Sequence, residues 1–214
     1  MTSQSKSTAL RRLATGTLVA LSAVAGLSAC VPLVVGGAVV GGSMMASDRR
    51  TSGAQLEDSS IELKSVSRVQ TAIGDRGHVN VTSYNRVVLV TGEVPTDTDR
   101  QAVEQALSRI ENVRSVVNEL AVMPSSSLST RSADSILSGQ VKAAFIDAKE
   151  LQSSAIKVVT ERSVVYLMGR VTDKEAAVAT ERARGVNGVL KVVRVFEIIS
   201  EAELAELQSR PAPK

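Results

Sequence analysis

The chain contains an internal repeat of about 77 residues. Residues 78–94 return as residues 155–171, with aliphatic residues, a polar turn and a late glycine at matching positions. After Pro95, which the second copy lacks, the offset becomes 76, so that Val117 matches Val193. A repeat of this length predicts two copies of one small domain. The chain is long enough for two such domains but hardly for more.

Each copy contains the signals of a helix followed by a β-hairpin. Val79 and Val81 alternate with polar residues, as a half-buried strand requires. A short polar turn then leads into the aliphatic run 87–91, and the second copy has the same arrangement before residues 164–168. These runs show little alternation, which is expected of the central strand of a sheet.

The second helix and the last strand of each copy complete the domain. Residues 172–175 form a capping box of the type Thr-x-x-Glu, and residues 96–99 form a weaker one. The last strands are predicted at 115–122 and 191–199, each parallel to the central strand through a right-handed crossover. The predicted fold class is therefore α+β, with two small tandem αββαβ domains. Each has a three-stranded mixed sheet with two helices on one face.

Two glycines occupy equivalent positions late in the predicted central strands. These are Gly92 and Gly169. We interpret them as structural glycines, where the missing side chain allows a bulge or close packing of a helix.

The first thirty residues have the pattern of a secretory signal peptide. Basic residues precede an apolar run over 13–29, and no acidic residue occurs before Cys30. Leu27-Ser28-Ala29-Cys30 resembles the lipobox of bacterial lipoproteins, which implies cleavage before Cys30 and acylation of its sulfur. An ordinary signal peptide with a chance cysteine is the alternative, but Cys30 is the single cysteine of the chain. Val31 after the cysteine favours the outer membrane, so we expect a lipid-anchored protein on its periplasmic face.

These signals divide the chain into six segments. They are a signal peptide (1–29), an acylated cysteine with a Gly/Val-rich tether (30–54), a first domain (55–122), a linker (123–130), a second domain (131–199) and a C-terminal extension (200–214). The tether is either a segment lying at the lipid surface or a flexible spacer. The linker allows the two domains to be independent or docked.

The repeated pattern resembles the BON domain family, in the form of outer-membrane lipoproteins that carry two BON domains. The residues that carry the resemblance are Asn80-Val81-Thr82-Ser83-Tyr84, the run that ends at Gly92, residues 164–172 and Gly185-Val186-Asn187-Gly188-Val189. The resemblance implies a non-catalytic protein that binds anionic phospholipid and supports outer-membrane integrity. It also implies an association with cell-envelope and outer-membrane assembly machinery.

The two domains differ in charge, which predicts the lipid-binding face. Residues 57–122 hold seven Lys and Arg against ten Asp and Glu, whereas residues 130–199 hold eleven against eight. Basic segments are attracted to anionic lipid, so we expect the second domain to bind the membrane.

Ile136 stands where the resemblance implies an exposed aromatic residue in the first helix of that domain, which we expect to start near Asp134. The candidate lipid-binding residues are Ile136, Arg131, Lys142 and Lys149. The alternative is that Ile136 packs at the edge of the core and the basic side chains are solvated.

The sequence contains few of the residue types that enzyme active sites use. His78 is the single histidine, and no second cysteine is available for a metal cluster. We therefore predict no enzyme activity, no metal, no cofactor and no small-molecule substrate. Without the signal peptide the chain has 22 Lys and Arg and 22 Asp and Glu, so its charge is no argument for nucleic acid. The alternative function is a protein-interaction adaptor that holds an envelope partner through the acidic first domain or through exposed sheet faces.

Overall fold

The computed structural model describes residues 48–209, so Cys30, the signal peptide and most of the tether lie outside the described residues. The first domain consists of α1 (Ser52–Ile73), β1 (His78–Tyr84), β2 (Val87–Val94), α2 (Asp97–Ser108), β3 (Ser115–Asn118) and β4 (Ala121–Val122). The second consists of α3 (Leu128–Asp147), β5 (Ile156–Glu161), β6 (Val164–Val171), α4 (Asp173–Arg184) and β7 (Lys191–Ile198). A 3₁₀ turn over Ser153–Ala155 precedes β5, and α5 (Glu201–Ser209) follows β7. The predicted α+β fold with repeated αββαβ order is confirmed.

The two sheets are mixed, as predicted. In the first, β2 pairs antiparallel with β1 and parallel with β3, and β6 takes the same central place between β5 and β7 in the second. The third strand of the first domain, predicted as one strand over 115–122, is interrupted at Glu119 and Leu120 before β4 resumes the pairing with β2. At the interruption the Leu120 N–H donates to the Asn118 side chain at 3.2 Å, and the Leu120 side chain is buried in the core.

The first helix of each domain begins within a segment that the sequence analysis assigned to the tether or to the linker. Helix α1 begins at Ser52, inside the predicted tether, and α3 begins at Leu128, inside the predicted linker, not near Asp134. The reason is a hydroxyl N-cap in each case, because the Thr51 and Ser127 side chains accept N–H groups of the first helical turn. The C-terminal extension forms α5 over its described part.

The two hairpin turns have the same geometry and the same support. Asn85 and Arg86 have φ of 50° and 65°, and their counterparts in the second domain have 51° and 60°. Two successive residues with positive φ make a type I′ turn, which suits the twist of a hairpin but strains residues other than glycine and asparagine. A buried aspartate on the first helix of each domain, Asp58 or Asp134, accepts hydrogen bonds from both turn N–H groups.

Each domain has its own core between one sheet face and its two helices. In the first domain the buried core residues are Ile61, Ile73, Val88, Val90, Val94, Val103, Leu107, Ile110 and Leu120. In the second they are Val141, Phe145, Ala148, Leu151, Ile156, Val158, Val165, Leu167, Val171, Ala176, Ala179 and Ala183. The helices thus cover one face of each sheet, as predicted.

The opposite faces of the two sheets pack against each other. A third buried cluster joins Tyr84 and Leu89 of the first sheet to Tyr166 and Met168 of the second. Valines of both sheets surround it; they are Val87, Val117, Val159, Val164, Val193 and Val195. The domains are therefore docked sheet to sheet. The expectation that exposed sheet faces hold a partner is wrong, because each domain buries that face of the other.

Candidate lipid-binding surface

Helix α3 positions the predicted lipid-binding residues. Leu137, Val141 and Phe145 are buried and fix which side of the helix faces the core. Ile136 is adjacent to Leu137 and therefore lies about 100° around the helix from Leu137 and about 140° from the middle of the buried stripe. Its residue exposure is 64%, so the packed alternative for this side chain does not describe the structure.

Two further aliphatic residues of α3 are more exposed than Ile136 and were missed from the sequence. Leu128 is 77% exposed and Ile146 is 71% exposed. Each is nine residues from Leu137, which places both about 180° around the helix from Leu137 and about 140° from the middle of the buried stripe, on the outward side of the helix. Because the helix begins at Leu128 and not near Asp134, the sequence prediction did not place Leu128 on this surface.

The predicted basic residues are not equivalent in the structure. Lys142 is exposed on α3 and lines a cavity of about 280 Å³ together with Ile146. Lys149 is exposed too, but it follows the end of the helix. The Arg131 guanidinium turns back onto the chain, where it donates to the Ser126 hydroxyl at 3.2 Å and to the Ser126 carbonyl at 2.9 Å. Lys142 is therefore the predicted cation that lies beside an exposed aliphatic residue.

Residues 48–50, which the sequence analysis placed in the tether, contact both domains. Arg49 is buried and donates to the two carboxylate oxygens of Glu175 at 2.6 and 2.7 Å. Arg50 forms an ion pair of 2.7 Å with Asp58 and lies 4.3 Å from the centre of the Tyr84 ring. Arg49 thus contacts the second domain and Arg50 the first, so the end of the tether is fixed at the junction of the two.

The buried groups around this junction have shifted pKa values. Burial by itself raises the pKa of Asp58, but hydrogen bonds from the Ser83 hydroxyl, from the turn N–H groups and from Arg50 outweigh it and lower the pKa below its ordinary value. The pKa of Glu175 is lowered in the same way, mainly by Arg49 against the effect of burial. Burial raises the pKa of Tyr84 and of Tyr166 to about 12. At neutral pH the carboxylates of Asp58 and Glu175 are therefore ionised, and the hydroxyls of Tyr84 and Tyr166 are neutral.

The two predicted structural glycines contact backbone and not a helix. Gly92 has φ of 115°, and a Cβ on it would lie 2.0 Å from the His78 carbonyl oxygen. A Cβ on Gly169 would lie 2.5 Å from the Ala155 carbonyl oxygen. Both glycines therefore allow the start of the hairpin's first strand to approach the central strand closely.

Residues 48–209 contain no helix that is long and apolar enough to cross a membrane. Within the same residues no group of three or more His, Cys, Asp or Glu side chains is arranged to hold a metal ion.

Comparison with known proteins identifies the repeated domain. The model of the BON domain matches residues 61–124 and 133–200, which correspond to the two αββαβ units. The chain belongs to the BON domain family. This BON-domain protein is 36% identical over 176 residues to the outer membrane lipoprotein DolP of Haemophilus influenzae, a match that covers 81% of this chain and 90% of that protein. It is 27% identical over 154 residues to the 21 kDa hemolysin of Actinobacillus pleuropneumoniae, with 71% of this chain and 79% of the hemolysin covered.

A solved structure gives a much weaker match. CdsD, a structural protein of the type III secretion system of Chlamydia trachomatis, aligns with 10% identity and a TM-score of 0.29, covering 68% of this chain and 98% of that one.

The similarity to DolP confirms the predicted localisation. This BON-domain protein is an outer-membrane lipoprotein.

Proposed function

We propose that this protein is a non-catalytic lipoprotein, acylated at Cys30, whose second BON domain binds anionic phospholipid and thereby supports the integrity of the outer membrane. The observation that carries the proposal is the outer face of α3. Leu128, Ile136 and Ile146 are exposed there, and Lys142 lies beside Ile146. Leu128 and Ile146 are separated by about 27 Å along the helix axis, so a bilayer could contact the whole length of the helix at once.

The charge of the second domain supports the same face. Residues 130–199 carry an excess of three positive charges, and each Lys or Arg near an anionic surface contributes about 1 kcal/mol of attraction. Exposed aliphatic side chains on a helix, flanked by cations, are the arrangement of helices that lie in the membrane interface. Both contributions are weak singly, so the acyl anchor would hold the protein at the bilayer and α3 would select its orientation and its lipid.

Flotation with liposomes tests the proposal. A fragment of residues 47–214 retains both cores but lacks Cys30, so its binding reports on the domains alone. We expect it to float with vesicles that contain phosphatidylglycerol and to remain in the bottom fraction when the vesicles contain zwitterionic lipid alone. Binding to the anionic vesicles should weaken as the salt concentration is raised. Absence of binding to the anionic vesicles at low salt would refute the proposal.

Two substitutions on α3 and a matched control on α1 locate the lipid-binding surface. Ile136→Glu and Ile146→Glu place a carboxylate on the outer face of α3 and should abolish flotation. Leu63→Glu makes the same change at a 77% exposed leucine on α1 of the first domain and should leave flotation unchanged. Equal effects at Leu63 and Ile136 would place the lipid contact elsewhere.

A groove in the first domain favours the adaptor function as a second candidate. A cavity of about 440 Å³ lies between α1 and β1, with Val66, Val69 and Val81 in its lining and the acidic residues Glu62 and Asp75 beside them. Such a groove suits a segment of a protein partner, for example in outer-membrane assembly machinery. Loss of a co-purifying envelope protein in Val66→Glu, with flotation intact, would support this function.

A further inference from the structure

Leu190, in the loop between α4 and β7, is the most exposed large hydrophobic residue among residues 48–209, at 81%. The loop that carries it is held in place. The Leu190 N–H donates to the Ser163 carbonyl at 2.9 Å, and the preceding Val189 packs against the core of the second domain. Leu190 therefore points outward from a well-supported backbone.

The loop that carries Leu190 contacts α3 next to Ile136. Ser138 donates a hydrogen bond of 2.7 Å to Thr160, so that flank of α3 faces strand β5. Ile136, two residues earlier, lies about 200° away around the helix and faces away from β5. The loop between α4 and β7 contacts α3 at Leu137, the residue next to Ile136, since a Cβ placed on Gly188 would be 3.7 Å from the Leu137 Cδ1. The loop that carries Leu190 therefore meets α3 one residue from Ile136.

The first domain shows that the fold does not require a leucine at this place. Arg114 is the residue 76 positions earlier, and its N–H donates to the Arg86 carbonyl at 2.8 Å, as that of Leu190 does to Ser163. The Arg114 side chain, however, forms an ion pair of 3.3 Å with Glu197. The same backbone position thus carries a paired cation in one domain and an exposed aliphatic side chain in the other.

We propose that Leu190 inserts into an anionic phospholipid bilayer beside α3, so that the membrane-binding surface consists of a helix and a loop together. This inference rests on the proposed function and extends it to a second element. The neighbouring Lys191 is exposed and matches anionic head groups in charge. An exposed leucine on a loop next to an interfacial helix adds apolar area that a bilayer can remove from water.

Single-tryptophan fluorescence tests the inference in the full chain, because the chain contains no tryptophan. Leu190→Trp, Ile136→Trp and the first-domain control Leu63→Trp would each be reconstituted into phosphatidylglycerol vesicles that contain brominated acyl chains. We expect blue-shifted emission and strong quenching for the variants at 190 and 136. The variant at 63 should keep the emission of a solvated indole.

The outcomes separate the inference from the function on which it rests. Quenching at 136 without quenching at 190 would overturn the insertion of Leu190 and leave lipid binding by α3 intact. Absence of quenching at both positions would overturn both proposals. Equal quenching at 63, 136 and 190 would also overturn the inference, since the anchor alone would then bring every face of the protein to the bilayer.

Discussion

Two buried aspartates accept the N–H groups of the hairpin turns, and substituting them should lower the free energy of unfolding by different amounts. Asp58 accepts the N–H groups of Asn85 and Arg86 at 2.8 and 2.7 Å and the Ser83 hydroxyl at 2.6 Å. Arg50 adds an ion pair of 2.7 Å to the same carboxylate. Asp134, in the second domain, accepts the two equivalent turn N–H groups at 2.8 Å each. We therefore predict that Asp58→Ala destabilises the protein more than Asp134→Ala.

The magnitude follows from the number of hydrogen bonds lost. A hydrogen bond to a charged group contributes about 1.5–3 kcal/mol, so the loss of two in Asp134→Ala should lower the free energy of unfolding by about 3 kcal/mol. Asp58→Ala loses four and should lower it by about 5 kcal/mol, less than the simple sum because interactions within one network are not additive. The strained turn adds to both effects, since positive φ at a residue other than glycine persists only where its surroundings enforce it.

Urea unfolding of the fragment of residues 47–214, followed by circular dichroism, measures these values. Tyrosine fluorescence gives a second readout, because both tyrosines of the chain, Tyr84 and Tyr166, lie in the interface between the sheets. The control is Asp147→Ala, an exposed carboxylate at the end of α3, which should change stability by no more than about 0.5 kcal/mol. The reasoning is refuted if Asp134→Ala costs as much as Asp58→Ala, or if either costs less than about 1 kcal/mol.

Two further predictions use the same unfolding assay. Because the folded pKa of Asp58 is lowered from its ordinary 3.8, its stabilising contribution is full above that value and is lost as the pH falls through the folded pKa. Asp58→Asn should therefore flatten the decline of stability below about pH 4, and an unchanged pH profile would contradict the assignment. Gly92→Ala should lower the free energy of unfolding by more than about 1 kcal/mol, since a methyl group there meets the His78 carbonyl at positive φ. Gly139→Ala is the control, because nothing lies within 4 Å of an added Cβ in the middle of α3, and it should stabilise by about 0.5–1 kcal/mol; similar effects at the two glycines would contradict the prediction.

The structural role of the two buried aspartates could have been predicted from the sequence but was missed. Asp134 falls three residues before Leu137, on the apolar stripe of α3, and Asp58 occurs 76 residues earlier. A carboxylate on a core stripe, repeated within one residue of the 77-residue offset, indicates a buried structural role, because a charge is buried only where it is paired or hydrogen-bonded. The sequence prediction instead took Asp134 as the beginning of the helix.

The order of helices and strands, the two-domain repeat and the family could be predicted from the sequence, because periodicity, turns and caps are properties of short stretches of chain. The capping box at Thr172 and Glu175 formed as predicted. The docking of the two sheets became visible in the folded protein alone, since Tyr84 and Tyr166 are far apart in the chain and their packing depends on the match of two whole surfaces. Tertiary packing also sets which aliphatic residues face outward. The exposure of Leu128 follows from where the Ser127 hydroxyl starts the helix, and that of Leu190 from the loop that packs Val189 inward.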